Sequence, residues 1–172
     1  MTERDAAVTL HGNPKTLLGD ELKVGDPAPA FTLTAPDFSQ KTLADFGGKV
    51  KLLVTVPSLD TGVCDTEIRR FNQEVGALGD DVVTLVVSVD LPPAQKRWCG
   101  HADATNVHTL SDYMDHSFGK DYGVRIKEMG LLARTVMVLD RDDKLVYAQL
   151  VKEVGEEPDY DAALAAAKSA VG

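Results

Sequence analysis

The sequence has little basic charge for its length. Its 172 residues carry 18 lysines and arginines against 27 aspartates and glutamates, a formal net charge of −9. Binding to nucleic-acid phosphates or to an anionic membrane surface requires a basic face, so the composition argues against both kinds of partner. The hydrophobic and charged fractions, 44% and 26%, are ordinary for a globular protein. From the length we expect a single domain over residues 1–172.

Long apolar runs are also absent. No stretch approaches the roughly 20 residues that cross a bilayer. The first residues, MTERDAAVTLHG, lack the apolar core of a secretory signal, so we expect a cytoplasmic protein. Only two cysteines occur, Cys64 and Cys99. In a reducing compartment such residues are more often thiols, or a disulfide that cycles, than a permanent cross-link.

Several signatures of other activities are missing. Cys64 is followed by DTEI rather than by a second cysteine in C-x-x-C spacing, which disfavours a thioredoxin-type dithiol oxidoreductase. Gly47-Gly48 precedes a strand rather than a helix and so fails the test for a phosphate-binding loop. The four histidines show no metal-ligand spacing. A Cys–His pair for acyl transfer stays open, although no flanking signature supports it.

The most informative segment is VKLLVTVPSLDTGVC, residues 50–64. Its apolar, β-rich first half stops at Pro57, which donates no backbone hydrogen bond. After a short turn, apolar residues recur at helical spacing: Ile68, Phe71, Val75 and Leu78. Cys64 therefore lies in the first turn of a predicted helix. Unpaired N–H groups and the helix dipole favour a nucleophilic thiolate there.

Two interpretations of Cys64 remain open from these residues. In the first, Cys64 is reactive, and the Pro57 ring shields it from water. The Thr61 hydroxyl then either caps the helix or hydrogen-bonds the sulfur or a bound oxygen. In the second, Cys64 merely continues the apolar stripe of the helix as a small buried core residue.

The negative charge of Asp65, beside Cys64, would oppose a thiolate and calls for a nearby cation. Arg134 is the best candidate, because a guanidinium in an apolar strand is costly unless it is paired. The alternative for Arg134 is a solvated position at a strand edge. Arg97 and Arg125 are weaker candidates.

Cys99 is predicted to end a second short helix, just before Gly100. A disulfide requires Cα atoms within about 7 Å of each other. Because Cys64 begins one helix and Cys99 ends another, bonding between them would need local unwinding. The alternative for Cys99 is a buried residue behind a helix cap.

The remaining pattern predicts an α/β fold with a mixed central sheet flanked by helices. An N-terminal β-hairpin is expected within residues 1–20. Further strands are predicted over 31–34, 41–43, 82–89, 107–110, 134–139 and 144–151, and further helices over 94–99, 115–122 and 158–171. Asp90 is expected to cap the helix that begins near Pro92. This order of elements fits a thioredoxin-like fold.

Five segments carry a family resemblance. PSLDTGVC, with FNQE after it, resembles the peroxidatic-cysteine segment of thiol peroxidases, a group of atypical two-cysteine peroxiredoxins. VDLPPAQKRWCG resembles their resolving-cysteine segment. VTLHGNPKTLLG, GLLARTVMVLD and EEPDYDAALAAAK are similar to other parts of that group, so the resemblance covers nearly the whole chain.

The resemblance implies a role for each matching residue. Cys64 would be the peroxidatic cysteine, activated by Thr61 and Arg134, which also bind the peroxide, and shielded by Pro57. Cys99 would resolve the Cys64 sulfenic acid as an intramolecular disulfide. The resemblance also implies a thioredoxin fold, a homodimer, peroxide substrates and reduction by thioredoxin, without metal, flavin or haem. Asp65 departs from the small residue expected after the cysteine.

Two other functions compete with this one. In the first, the chain is a non-catalytic thioredoxin-like module whose Cys64–Cys99 switch controls a partner interface. Its thiol would react slowly with peroxide, whereas a peroxidase must react far faster than a free thiol. In the second, the cysteines form a structural disulfide in an exported protein, which the missing signal disfavours.

Overall fold

A computed structural model describes residues 1–172. The strands are β1 (Glu3–Leu10), β2 (Asn13–Leu18), β3 (Thr32–Thr34), β4 (Gln40–Thr42), β5 (Val50–Thr55), β6 (Val82–Ser88), β7 (His108–Ser111), β8 (Arg125–Ile126), β9 (Thr135–Leu139) and β10 (Leu145–Leu150). The helices are α1 (Gly62–Val75), α2 (Pro92–Ala102), α3 (Ser117–Asp121) and α4 (Tyr160–Val171). None of these helices combines the length and the apolar character that a membrane span requires.

The central sheet has seven strands in the order β10-β9-β5-β6-β7-β3-β4. β5, β6 and β7 are parallel, because α1 and α2 carry the chain back between them. The outer strands pair antiparallel. The predicted α/β fold with a mixed central sheet is therefore confirmed. The predicted N-terminal hairpin is formed by β1 and β2, and β8 adds a third strand that the sequence did not reveal.

Two hydrophobic layers enclose the sheet, and β5 contributes to both. Leu52 and Val54 face the layer of α1, α2 and α4, whereas Leu53 faces the layer that contains Phe118 of α3. The side chains of Leu52, Leu53 and Val54 are all fully buried. A strand buried on both faces has no polar alternation, which explains the nearly continuous apolar runs of β5 and β6.

Several predicted helix boundaries were wrong by one to three residues. α2 continues past Gly100 to Ala102, because Ala102 still packs on the layer of α1 and α4. Asp103 ends α2 in the left-handed conformation, with φ of 51°, and its N–H bonds the Cys99 carbonyl. Cys99 therefore lies inside the last turns of α2. α3 begins later than predicted, since the Asp115 carboxylate instead accepts a turn hydrogen bond from the Ser117 N–H.

A buried ion pair joins β5 to the turn between β9 and β10. The Lys51 side chain is fully buried and pairs with Asp143, whose side chain is 32% exposed. Asp143 has a positive φ of 63°, which aspartate and asparagine adopt more readily than most residues. A buried ammonium group without a counter-charge is strongly unfavourable, so Asp143 is important to the central sheet.

We expect Asp143→Asn to destabilise the fold while preserving the turn, because asparagine tolerates the same backbone conformation. The loss should be about 2 kcal/mol, below the range for a fully buried pair since water reaches Asp143 and the amide oxygen still accepts a hydrogen bond. Urea unfolding measures the change. Asp142→Asn, at an exposed position of the same turn, is the matched control and should change stability little. Equal stability of the two variants would contradict the prediction.

Candidate active site

The turn between β5 and α1 is fixed by one carboxylate. Asp90 accepts hydrogen bonds from Ser58 Oγ at 2.7 Å and from the Leu59 N–H at 2.8 Å. It also accepts from Ser88 Oγ, at the end of β6, at 2.7 Å. The loops after two neighbouring parallel strands are thereby joined, which positions the start of α1. Asp90 does not cap α2 as predicted, because its carboxylate is used in this loop and Leu91 occupies the N-cap position.

Thr61 occupies the N-cap position of α1, but its hydroxyl does not cap the helix. The backbone is extended, with φ of −98° and ψ of 148°, and the Asp65 N–H bonds the Thr61 carbonyl. The hydroxyl donates to the Ser58 carbonyl at 3.0 Å instead, because the turn brings that acceptor close. The cap prediction was wrong, and a role of Thr61 toward a bound oxygen stays a prediction. Pro57 is buried just after β5.

Cys64 lies in the first turn of α1 and is fully buried. Its thiol is free, and Arg134 Nη2 donates to the sulfur at 3.2 Å. Arg134 immediately precedes β9, and its side chain is 2% exposed, so it is not a solvated residue at a strand edge. The site therefore combines a cysteine at a helix N-terminus with a buried cation directly against its sulfur.

Arg134 is held by three acceptors. Nη1 forms an ion pair with Glu67, Nε donates to the Val154 carbonyl at 3.0 Å, and Nη2 points at Cys64. Burial acts to lower the pKa of Arg134, but the charges of Glu67 and Cys64 outweigh it and raise that pKa further. The guanidinium is therefore cationic at every pH at which the fold exists, and its orientation is fixed.

Glu67 was not recognised as a site residue from the sequence. It is fully buried, and burial raises its pKa to about 7 although Arg134 opposes the shift. One carboxylate oxygen, Oε1, has no hydrogen-bond partner, consistent with this desolvation. The available signal was spacing, because Glu67 lies three residues after Cys64 and beside Ile68 on the buried face of α1.

Val154, the backbone acceptor of Arg134, belongs to a segment that the N-terminal hairpin holds. The Glu153 carboxylate accepts from Thr9 Oγ1 at 2.5 Å and from the His11 N–H at 2.9 Å. The Val154 N–H donates to the Thr9 carbonyl at 2.8 Å. The Val154 carbonyl accepts the hydrogen bond from Arg134 Nε. Val154 and Arg134 therefore connect the hairpin to Cys64.

Cys99 is half-buried and also free. Its Sγ lies 3.4 Å from Thr109 Oγ1 on β7, and its side chain packs on the same hydrophobic layer as Cys64. The structure thus holds both cysteines within one layer of the fold, each with a different polar partner. The two sulfurs are not bonded to each other.

The other cationic candidates do not contact the sulfur of Cys64. Arg97 lies at the surface, 3.7 Å from Asp60, and Arg125 pairs through its backbone with β2. The charge of Asp65 is offset by Arg69, whose Nε donates to both carboxylate oxygens at 2.9 and 3.0 Å. Arg134 is therefore the cation at the Cys64 sulfur, as expected, and Arg69 pairs with Asp65 itself.

Comparison with known proteins agrees with this arrangement. Residues 23–164 match the Redoxin family. The chain is 56% identical over 161 residues to a thiol peroxidase from Streptococcus sanguinis, covering 94% of this chain and 98% of the relative. It is 54% identical over 166 residues to a thiol peroxidase from Halalkalibacterium halodurans, covering 96% and 99%. A solved peroxiredoxin-like protein from Aquifex aeolicus superposes with a TM-score of 0.89 at 42% identity, covering 96% and 98%.

The thioredoxin-like sheet, the cysteine at the N-terminus of α1 and these matches together define the class: the chain belongs to the Redoxin family. Within this family, near-full-length similarity places it among the thiol peroxidases. The protein is accordingly an enzyme with peroxidase activity, and a non-catalytic module is not favoured.

We expect Glu153→Ala to slow the oxidation of the enzyme's thiol by peroxide, because it loosens the segment that anchors Arg134. Small displacements of a positioning group cost up to about 100-fold in rate, and we expect about tenfold here. Stopped-flow measurement under single-turnover conditions tests this. Glu156→Ala is the matched control, since Glu156 is exposed in the same loop. Equal oxidation rates for the two variants would show that the hairpin does not support Arg134.

The raised pKa of Glu67 also predicts a pH dependence of stability. The unfolded carboxyl titrates near 4.5 and the folded one near 7, so the folded state binds more protons between these values. The free energy of unfolding contributed by Glu67 must therefore fall as pH rises through this window, by up to about 3 kcal/mol. Glu67→Gln should lack this contribution. Urea unfolding of both proteins at pH 5 and pH 8 measures it, and a pH-independent difference between them would contradict the assignment.

Proposed function

We propose that the enzyme reduces hydrogen peroxide and organic hydroperoxides to water and alcohols, with Cys64 as the peroxidatic thiol. The observation that carries the proposal is the contact between Arg134 Nη2 and Cys64 Sγ at the N-terminus of α1. A guanidinium contacts the sulfur, and the sulfur belongs to the first turn of α1, where backbone N–H groups lack intrahelical partners. Together they stabilise a thiolate and any negative oxygen that develops beside it.

In the first step the Cys64 thiolate attacks the terminal oxygen of the peroxide. The S–O bond forms as the O–O bond breaks, and Cys64 becomes a sulfenic acid, oxidised by two electrons. The leaving oxygen departs as water or an alcohol after taking up a proton. The positive charge of Arg134 stabilises the negative charge that develops on the leaving oxygen. Glu67 and Val154 already hold the guanidinium in its orientation.

Thr61 and Pro57 complete the proposed site. Thr61 lies at the N-cap, three residues before Cys64, and its hydroxyl bonds only a backbone carbonyl of the turn. A bound peroxide offers that hydroxyl an alternative partner. The buried Pro57 presents no N–H and limits the access of water to the sulfur. Both residues are thus proposed to orient and protect the reacting oxygen, rather than to exchange electrons.

In the second step Cys99 condenses with the Cys64 sulfenic acid. The S–S bond forms, the S–O bond breaks and water leaves. A thiol-containing reductant, which we propose to be thioredoxin, then returns both cysteines to thiols by exchange. All electrons come from thiols in this cycle, so it uses no metal, flavin or haem.

The remaining assignments are part of the same proposal. Residues 1–172 would act as one peroxiredoxin domain, with residues 1–20 as an N-terminal hairpin extension. The enzyme would work as a homodimer in the cytoplasm. A cytoplasmic location suits two cysteines that must be reduced again after each turnover.

We expect Cys64→Ser to abolish peroxide turnover, because it removes the attacking sulfur. Cys99→Ser should still consume one equivalent of peroxide, but it should not be recycled by thioredoxin. Stopped-flow peroxide consumption, followed by mass spectrometry of the protein, measures both. Wild-type enzyme should yield a linked Cys64–Cys99 peptide. Multiple turnover by Cys64→Ser would refute the proposal, and peroxide consumption at the pace of an ordinary thiol would favour the redox-switch module.

A further inference from the structure

One hydrogen bond connects the immediate neighbours of the two cysteines. Trp98 Nε1 donates to Asp65 Oδ1 at 2.8 Å. Asp65 follows Cys64 in the first turn of α1, and Trp98 precedes Cys99 in α2. This bond therefore joins the segment of one cysteine to the segment of the other, across helices far apart in sequence.

The surroundings make this bond a strong one. The acceptor is a carboxylate, and hydrogen bonds to charged groups are shorter and stronger than neutral ones. Arg69 holds the same carboxylate through Nε and lies 5.8 Å from the centroid of the Trp98 ring. Trp98 is 6% exposed and packs on the layer that contains Cys64. An indole, a carboxylate and a guanidinium thus form one connected group between α1 and α2.

The chemistry of the second step conflicts with this arrangement. Cys64 Sγ is directed to Arg134, whereas Cys99 Sγ is directed to Thr109 on the sheet. Both cysteines are inside helices, and a disulfide requires close approach of their Cα atoms. Unwinding of the first turn of α1 or the last turns of α2 moves Asp65 or Trp98 with its neighbouring cysteine.

We propose that the Asp65–Trp98 hydrogen bond is a latch that holds α1 and α2 in the peroxide-reactive arrangement and limits how fast Cys99 resolves the Cys64 sulfenic acid. This inference rests on the proposed roles of the two cysteines. It assigns Asp65 and Trp98 as positioning residues of the second step, since neither is within hydrogen-bond contact of the reacting sulfur.

The latch also affects the over-oxidation of Cys64. While the latch is closed, the Cys64 sulfenic acid remains beside Arg134, where a second peroxide can transfer one oxygen atom to the sulfur. That reaction gives a sulfinic acid and one molecule of water or alcohol, and it removes the enzyme from the cycle. The strength of the latch therefore sets the balance between resolution and over-oxidation.

Trp98→Phe is the most direct test, because it removes the N–H donor and keeps an aromatic ring in the layer. We expect the conversion of sulfenic acid to disulfide to become about three- to tenfold faster, as the loss of one hydrogen bond allows. Oxidation of Cys64 by the first peroxide should change far less than resolution, because Arg134 still contacts the sulfur. Rapid quenching followed by intact-protein mass spectrometry resolves thiol, sulfenic acid, sulfinic acid and disulfide in one time course.

Two further variants separate the latch from general destabilisation. Val138→Ala removes apolar contacts from the same layer at a strand position, and it should leave the resolution rate unchanged. Asp65→Ala removes the acceptor and should also accelerate resolution. If both residues act through one bond, the Asp65→Ala/Trp98→Phe double variant should resolve no faster than the faster single variant. Asp65→Ala also carries the test should Trp98→Phe fail to fold.

Amide hydrogen exchange of the reduced proteins gives a second readout. Amides of residues 94–102 should exchange faster in Trp98→Phe than in wild type, and Val138→Ala should not reproduce this local effect. Resolution at or below the wild-type rate in a folded Trp98→Phe variant would overturn the latch. A wild-type enzyme that forms no Cys64 sulfenic acid, or no Cys64–Cys99 disulfide, would instead overturn the proposed function on which it rests.

Discussion

The site depends on the burial of one guanidinium. Arg134 is almost fully removed from water, and a charge in that environment is tolerated only where hydrogen-bond acceptors and counter-charges surround it. Glu67 supplies the counter-charge, Val154 supplies a carbonyl, and Cys64 supplies the third partner. Because Cys64 and Glu67 come from α1 and Val154 from the loop after β10, the fold must assemble before the cation has a place. The reactivity proposed for Cys64 is in this sense a property of the whole domain.

The same burial favours the proposed attack on a peroxide but hinders the proposed formation of the disulfide. A fixed guanidinium and fixed N–H groups stabilise charge without reorganising, which suits attack on a peroxide. The proposed second step, however, requires a second sulfur, Cys99, which lies in another helix and contacts Thr109 of the sheet. The first step is favoured by a rigid site, whereas the second step requires the helices to move. One arrangement cannot be optimal for both steps. The Asp65–Trp98 hydrogen bond is proposed to hold the two helices together during the first step and to release them for the second.

Much of this arrangement was predictable from local sequence. An apolar run that stops at Pro57, followed by apolar residues at helical spacing, places Cys64 in the first turn of a helix, as the structure has it. Arg134 was identifiable because a guanidinium in an apolar segment requires a partner. Glu67 satisfies the same logic from the other side, since a glutamate on the buried face of α1 requires a cation. Only the two residues considered together define the ion pair.

Other features could not be read from local patterns, because long-range contacts decide them. The Thr61 hydroxyl bonds the Ser58 carbonyl rather than the helix, since the turn tied down by Asp90 brings that carbonyl near. α2 continues through Gly100, because Ala102 still gains contact with the hydrophobic layer. The support of Arg134 by the N-terminal hairpin joins residues separated by more than a hundred positions.

Asp65 is the clearest case in which the local argument and the assembled structure differ. Beside a cysteine that reacts as a thiolate, a carboxylate is unfavourable on charge grounds alone. In the fold, Arg69 and the indole N–H of Trp98 both donate hydrogen bonds to the Asp65 carboxylate, so its negative charge acts less on Cys64. Its charge is thus partly offset by Arg69 within α1 and by the Trp98 hydrogen bond that joins α1 to α2. An acidic residue at this position is therefore compatible with peroxidase chemistry, because Arg69 and Trp98 pair with its carboxylate. The Trp98 hydrogen bond also connects Asp65 to the helix of the second cysteine.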